Sequence, residues 1–241
     1  MKTSNYIIDK VNRLPRGYVF TYKDLSTKIK SEEAIRKMVG RLVVSGKIAK
    51  LSKGKFYKPE DTPFGSLSPA FKQVVKDLLE NDGKLIGYLT GLSVYNKFGL
   101  TTQVSNTIQI GRNDVRSSFK RNQYIISFIK QKNIITKENI PLLQILDVLR
   151  YIKKIPDATI ESVCERCCSL VRSRSVQERE AMVRLAMKYS PATRALLGAI
   201  LCEIGCELWT EKLYESLNPR TNYRLQGAIN ALKFAEKWYI L

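Results

Sequence analysis

Along the first sixty positions the apolar residues recur three times at helical spacing and then change to a two-residue alternation. Ile7, Ile8, Val11 and Leu14 make one stripe over Ser4 to Leu14, which Pro15 ends. After an Arg16-Gly17 turn, Tyr18-Val19-Phe20 predicts a short strand. Thr21 offers a hydroxyl cap to a second helix over Tyr22 to Ile29, with Leu25 and Ile29 facing inward. Ser31 caps a third helix that runs to Ser45, with Ile35, Met38, Val39 and Leu42 inward and Gly46 as its stop. Two short alternating stretches follow, Lys47 to Leu51 and Lys55 to Lys58, joined at Ser52-Lys53-Gly54, where the glycine suits a hairpin turn.

Residues 59–69, PEDTPFGSLSP, have the proline, serine and glycine content of a linker. The expected division is therefore a first domain at 1–60, a linker at 61–69 and a larger domain at 70–241, with a further boundary fitting near residue 157. Phe71, Val74, Val75, Leu78 and Leu79 predict a helix over Pro69 to Asn81, ended by Asp82-Gly83. Leu85 to Phe98 reads as a second helix whose Gly87 and Gly91 admit a neighbouring backbone. Ser105 to Gly111 and Gln123 to Ile129 read as strands, and helix returns over Ile140 to Lys154. From Thr159 the pattern is helical nearly to the end, broken at Ser190-Pro191 and Asn218-Pro219. The fold class predicted is α+β, mainly helical.

Charge changes this picture. The chain of 241 residues carries 41 Lys and Arg against 22 Asp and Glu, a formal +19. Such an excess points to a polyanion, nucleic acid first and an anionic membrane second. Residues 1–61 hold 15 basic and 6 acidic side chains, 62–157 hold 14 and 7, and 158–241 hold 12 and 9, so positive charge is densest in the smallest segment. Helix, strand, helix, helix and basic hairpin is the order of a winged helix-turn-helix, in which the third helix reads a groove and the wing touches backbone. With its apolar positions turned inward, that helix presents Arg36, Lys37, Gly40 and Arg41 outward. Arg at such a face can pair with guanine and Lys can neutralise phosphate. Lys47, Lys50, Lys53 and Lys55 on the wing, with Tyr22 and Lys23 at the start of the second helix, complete the expected contact set for double-stranded DNA.

Other chemistry is narrowed by what is missing. The chain has no histidine, which excludes a Ser-His-Asp triad, a Cys-His pair and a His-ligated metal. All five cysteines fall between Cys164 and Cys206, in amphipathic stretches where cysteine serves as a small apolar residue and without zinc-ribbon spacing. Neither a metal nor an organic cofactor is expected. No stretch has the roughly 18 apolar residues of a membrane span, and MKTSNYIIDKVNR has no signal-peptide core, so a cytoplasmic location without membrane contact is expected. Arg112, Arg116, Lys120 and Arg121, between the two middle strands, are candidates for secondary nucleic-acid or partner contacts. So are Arg194 in YSPATR and Arg220 in LNPRTNY, where an arginine stands beside hydroxyls and a proline; helix capping is the competing reading of both stretches.

The segments YLTGLSVYNKFGLTTQ at 88–103, SPATRALLGAILCEIG at 190–205 and SLNPRTNYRLQGAINALKFAEKWYI at 216–240, behind a short winged helix, resemble the AbiEi-type antitoxins of bacterial abortive-infection (type IV) toxin-antitoxin systems. The resemblance implies an N-terminal domain that represses the operon encoding antitoxin and toxin. It further implies a C-terminal part that counteracts a nucleotidyltransferase-like toxin without a stable complex. The DNA-reading role it implies falls on Arg36, Lys37 and Arg41, with Lys50, Lys53 and Lys55 on the wing. Tyr239 departs from the pattern, where the family ending reads closer to KWNI. The chain is expected to have no catalytic activity. Two alternatives stay open: a nucleic-acid-processing enzyme using carboxylates among Asp77, Asp82, Asp114 and Asp147 to hold a metal, and a non-catalytic protein-docking scaffold.

Overall fold

The structure, a computed structural model, describes residues 3–26 and 31–241 and is α+β, mainly helical. It contains two units: one runs to Leu78 and includes Lys120–Tyr124, and the other comprises Leu79–Phe119 and Ile125–Leu241.

The first unit begins with α1 (Thr3–Arg13), β1 (Val19–Thr21), α2 (Tyr22–Leu25) and α3 (Glu32–Val44), followed by β2 (Ala49–Ser52) and β3 (Lys55–Tyr57). The expected end of the second helix at Ile29 lies outside the described residues. Ile7, Val11, Phe20, Leu25, Ile35, Val39, Leu42, Ile48 and Phe56 form its core. Burial of such a side chain contributes roughly 2 kcal/mol. The strands form an antiparallel sheet in the order β1-β3-β2, with Phe20 opposite Phe56 and Lys50 opposite Phe56 on the other side. Helix, strand, helix, helix and hairpin thus follow one another in the expected order.

The segment expected as a linker is instead a hairpin of β4 (Glu60–Thr62) and β5 (Gly65–Leu67). Thr62 Oγ1 donates to the Gly65 carbonyl at 2.7 Å, and Gly65 takes φ 111. Proline, serine and glycine serve a tight turn as well as a linker, and composition alone does not separate the two. The helix expected over 69–81 is two short pieces, α4 (Phe71–Val74) and α5 (Lys76–Leu79), parted at Val75. The first unit thus extends well past residue 60.

The second unit opens with β6 (Glu80–Asn81) and β7 (Lys84–Leu85), so Asp82-Gly83 turns a hairpin rather than ending a helix. Asp82 at φ 47 and Gly83 at φ 76 supply the two left-handed residues such a two-residue turn requires. The helix expected over 85–98 is also corrected. Its first half is β8 (Gly87–Thr90), and only α6 (Leu92–Lys97) is helical. Gly91 stands between them at φ 69, which no helix passes through, and Gln109 Oε1 occupies the space 2.7 Å from where a Cβ would lie. β9 (Thr107–Arg112), antiparallel to β8, and β11 (Tyr124–Lys130), parallel to β9, complete the sheet of this unit, while β10 (Phe119–Arg121) falls largely in the first unit.

Helices α7 (Asn139–Arg150), α8 (Ile160–Arg172), α9 (Val176–Ala186), α10 (Pro191–Glu203), α11 (Thr210–Glu215) and α12 (Ala228–Ala231) follow. One hydrophobic cluster runs from Tyr88 to Ile240, so no core boundary falls near residue 157. Pro191 opens α10 as expected, with Ser190 as its cap. Pro219 instead lies in a turn where Asn218 Oδ1 accepts the Arg220 N–H at 2.9 Å. The chain end returns to this region: Tyr223 N–H donates to the Tyr239 carbonyl at 2.7 Å, and Leu241 N–H to the Tyr223 carbonyl at 2.9 Å. Tyr239 sits at φ 60, a conformation asparagine adopts more easily, and its ring stacks on Tyr214 at 5.7 Å. Among the described residues, no helix is long and apolar enough to cross a membrane.

Candidate nucleic-acid interface

Ser31 Oγ accepts the Ala34 N–H at 3.3 Å and so starts α3, whose first turn carries Glu32 and Glu33 against the positive helix end. Ile35, Val39 and Leu42 are buried. Helical spacing then turns Arg36, Lys37, Gly40 and Arg41 outward, and all are exposed, as is Val44 at 90%. Arg36 lies 3.3 Å from Glu32 and Lys37 2.8 Å from Glu33. Exposed pairs of this kind are worth a fraction of a kcal/mol and exchange readily for phosphate.

The β2–β3 hairpin carries exposed Lys47, Lys50 and Lys53, with Gly54 at φ 73 making its turn. Between this wing and α3 lies a cleft of about 490 Å³ lined by Arg36, Gly40, Lys50, Lys53 and Tyr22 over the apolar floor of Val39, Val43 and Phe56. Tyr22 meets Phe56 edge-on at 5.2 Å, and the Arg36 guanidinium lies 5.8 Å from the Tyr22 ring. Tyr22 therefore holds Arg36 at the mouth of the cleft. Lys23 is exposed on α2. A Cβ added at Gly40 would meet nothing within 4 Å, so the glycine is not there to accommodate a neighbour within the described fold.

Other expected contacts lie elsewhere. Lys55 is only 19% exposed and points at Asp77, with Nζ 2.5 Å from Oδ2. Arg121, 8% exposed, grips the same carboxylate at 2.7 Å and also donates to the Val74 carbonyl at 2.7 Å. Burial by itself would raise the Asp77 pKa, but hydrogen bonds from Arg121 and Lys55 outweigh it and hold the carboxyl below its ordinary value. Lys55 and Arg121 are thus committed inside the first unit and are corrected from contact residues to structural ones. Arg112 is likewise buried and bound to Asp114 at 2.8 Å. Arg116 is exposed with its guanidinium 5.7 Å from the Phe128 ring, and Lys120 is exposed. Arg194 is half-buried on α10, and Arg220 is exposed in the Asn218 turn.

The candidate carboxylates stand apart chemically. Asp77 and Asp114 are ion-paired, Asp82 is in a hairpin turn, and Asp147 is fully buried among hydroxyls. Among the described residues, no group of three or more His, Cys, Asp or Glu could hold a metal ion. Cys164, Cys167, Cys168 and Cys202 are buried and free. Burial pushes the Cys164 thiol up to about 12 and Cys168 to about 11, which suits apolar packing rather than thiolate chemistry.

Sequence reasoning missed the polar centre around Asp147. Its Oδ2 accepts from Tyr88 at 2.7 Å and Thr90 at 3.0 Å, and Oδ1 accepts from Tyr189 at 2.9 Å. Gln131 Nε2 donates to both tyrosine hydroxyls at 2.8 Å, and Gln131 Oε1 in turn accepts from Asn133. Every donor runs toward the carboxylate. Burial pushes Asp147 up to about 6 even though these three hydroxyls favour its anion. The only signal in the sequence was a lone Asp inside an apolar helix.

The model of the family described as "Family of unknown function (DUF6088)" matches residues 6–174. No curated protein matches the sequence. Among solved structures, the RV2827C protein from Mycobacterium tuberculosis is similar in fold, with a TM-score of 0.62 at 13% identity over 95% of this chain and 86% of that one.

Proposed function

The chain belongs to the DUF6088 family, and we propose for it the role of a DNA-binding transcriptional autorepressor that is also the antitoxin of a type IV toxin-antitoxin system. In this reading α3 enters the major groove of operator DNA and the β2–β3 wing follows the adjoining backbone. Arg36 and Arg41 read base edges, while Lys37, Lys47, Lys50 and Lys53 neutralise phosphates. The protein works in the cytoplasm without catalysis of its own, and it counteracts a nucleotidyltransferase-like toxin without a stable complex.

The observation that carries the DNA half is the cleft between α3 and the wing, whose charged walls are all cationic. Gly40 supports it: an exposed helix-interior glycine costs about 1 kcal/mol relative to alanine, and here it leaves open space against the helix backbone. The antitoxin half is supported by the resemblance of the segments at 88–103, 190–205 and 216–240 to the AbiEi-type antitoxins.

A gel-shift titration of the full chain on its own promoter, at about 50 and about 200 mM salt, tests the DNA half. Affinity is expected to fall steeply with salt, with the log-log slope losing about one unit per phosphate contact removed. Combined reversal of Arg36, Lys37 and Arg41 to Glu is expected to abolish the shift. A shift unchanged by that variant overturns the assignment of α3. Rescue of growth when the chain is co-expressed with a nucleotidyltransferase-like protein from the adjacent gene tests the antitoxin half.

A further inference from the structure

The second unit has a basic cleft of its own, built from different residues and independent of the α3 face. At the end of α7, Arg150, Lys153 and Lys154 face Arg224 across a cavity of about 370 Å³. An adjoining cavity of about 350 Å³ is lined by Lys130, Lys132, Lys188 and, again, Arg150. The two cavities are neighbours that share Arg150 and Ser190, the cap of α10, in their walls. Its lining contains no Asp or Glu.

That one-sided charge is not the rule in this chain. Arg112 and Arg121 are neutralised by carboxylates, and Arg174 and Arg184 by glutamates of α9. Among the described residues, none of the seven cations of the cleft has an acidic partner within 4 Å. All seven are exposed. Two are held in place through backbone carbonyls: Arg150 donates to Lys130 O at 3.1 Å and Lys188 to Lys132 O at 3.4 Å. Like charges gathered into a concave site repel one another, and an anion relieves that repulsion.

The remaining walls add aromatic and hydrogen-bonding character. Tyr151 lines the first cavity, with the Arg150 guanidinium 5.1 Å and the Lys154 ammonium 5.8 Å from its ring. Tyr223 lines the same cavity, and its buried hydroxyl has no partner among the described residues. Tyr189 and Gln131 line the second cavity, the Tyr189 hydroxyl donating to Asp147 and accepting from Gln131. Cations beside a half-buried tyrosine ring are elements that hold nucleotides, with phosphate on the charges and base against the ring.

We infer that this cleft in the second unit binds the phosphates of a nucleotide, with Arg150 between two phosphate positions and Tyr151 and Tyr223 beside the base. The ligand chemistry is shared by a free nucleoside triphosphate and by single-stranded RNA. Volumes of this size, each at the lower end of ligand pockets, admit one nucleotide at a time and not a duplex.

The test is fluorescence anisotropy on the full chain at about 0.1 M salt, with a labelled ATP analogue and a labelled ten-nucleotide oligouridylate as probes. At least one probe is expected to bind, and the variant Lys153→Glu/Lys154→Glu is expected to weaken it by about tenfold or more. Both side chains are exposed and make no hydrogen bond or ion pair among the described residues, so the fold is spared. Arg150→Gln is a second variant with the same expected direction. The recognition-helix variant of Arg36, Lys37 and Arg41 is expected to keep probe binding, which separates this site from the DNA face. Preference for the ATP analogue identifies a free nucleotide as ligand, and preference for the oligomer identifies RNA. Absence of binding by both probes, or equal binding by wild type and both cleft variants, overturns the inference.

Discussion

Lys55 and Asp77 form an ion pair of 2.5 Å in which the lysine is turned away from solvent. Arg121 closes on the other carboxylate oxygen at 2.7 Å. One acidic side chain therefore gathers two cations that stand 66 positions apart in the chain and that look, by sequence, like surface charge.

Replacing Asp77 with Asn leaves two largely buried cations without their anion. Unfolding of the first unit is expected to become easier by about 2 kcal/mol, a figure reduced from that of a fully buried pair because Asp77 is 40% exposed. The pH dependence has a definite sign. The folded carboxyl titrates below its unfolded value, so its stabilisation is complete above the unfolded value near 4 and is lost as pH falls through the folded one. Thermal melts between about pH 3 and 6 should show that acid sensitivity in the wild type and a weaker one in Asp77→Asn.

Asp147 carries the opposite sign. Burial raises its folded carboxyl to about 6, above the ordinary value near 4, so between these values the folded state holds a proton that the unfolded chain has released. Its contribution is most favourable below about pH 4 and declines by roughly 3 kcal/mol as pH rises to about 6. Urea midpoints measured across that range should fall in the wild type. In Asp147→Asn they should lose this component, although its amide N–H₂ then confronts hydroxyls that all donate inward.

Gly40→Ala is expected to raise the stability of the first unit by about 0.5 to 1 kcal/mol, since the new methyl meets nothing and alanine favours helix. Operator affinity is expected to fall at the same time. A gain in both stability and affinity would show that α3 does not lie against DNA at this position. Calorimetry and a filter-binding titration read the two quantities separately.

Gly198 in α10 sits under Trp238, whose ring atoms lie 2.2 Å from where a Cβ would be. Trp238 is buried, and its indole N–H donates to Cys202 Sγ at 3.4 Å. Gly198→Ala must displace the ring and is expected to cost about 3 kcal/mol, while Trp238→Ala leaves a cavity costing about 4 kcal/mol. Tryptophan fluorescence during chemical denaturation checks the first, and far-UV dichroism checks the second.

Local periodicity made the first unit largely legible. Ile35, Val39 and Leu42 repeat at helical spacing, and Lys50 and Leu51 alternate about a glycine turn, so the sequence by itself determined which face of α3 is apolar and which is charged. The same short-range logic placed the α10 start at Ser190-Pro191. It failed where a local signal has two meanings. Asp82-Gly83 ends helices and turns hairpins, and Gly87 to Thr90 becomes a strand because β9 lies beside it. Only the tertiary structure decided which charges are surface charges. Whether a lysine is free depends on a carboxylate brought near by folding, as Asp77 is to Lys55, while Arg150, Ser190 and Arg224 line one cavity because α7, the start of α10 and the chain near Tyr223 converge. Spacing along the chain carries periodicity, but it does not carry the distances between side chains far apart in sequence.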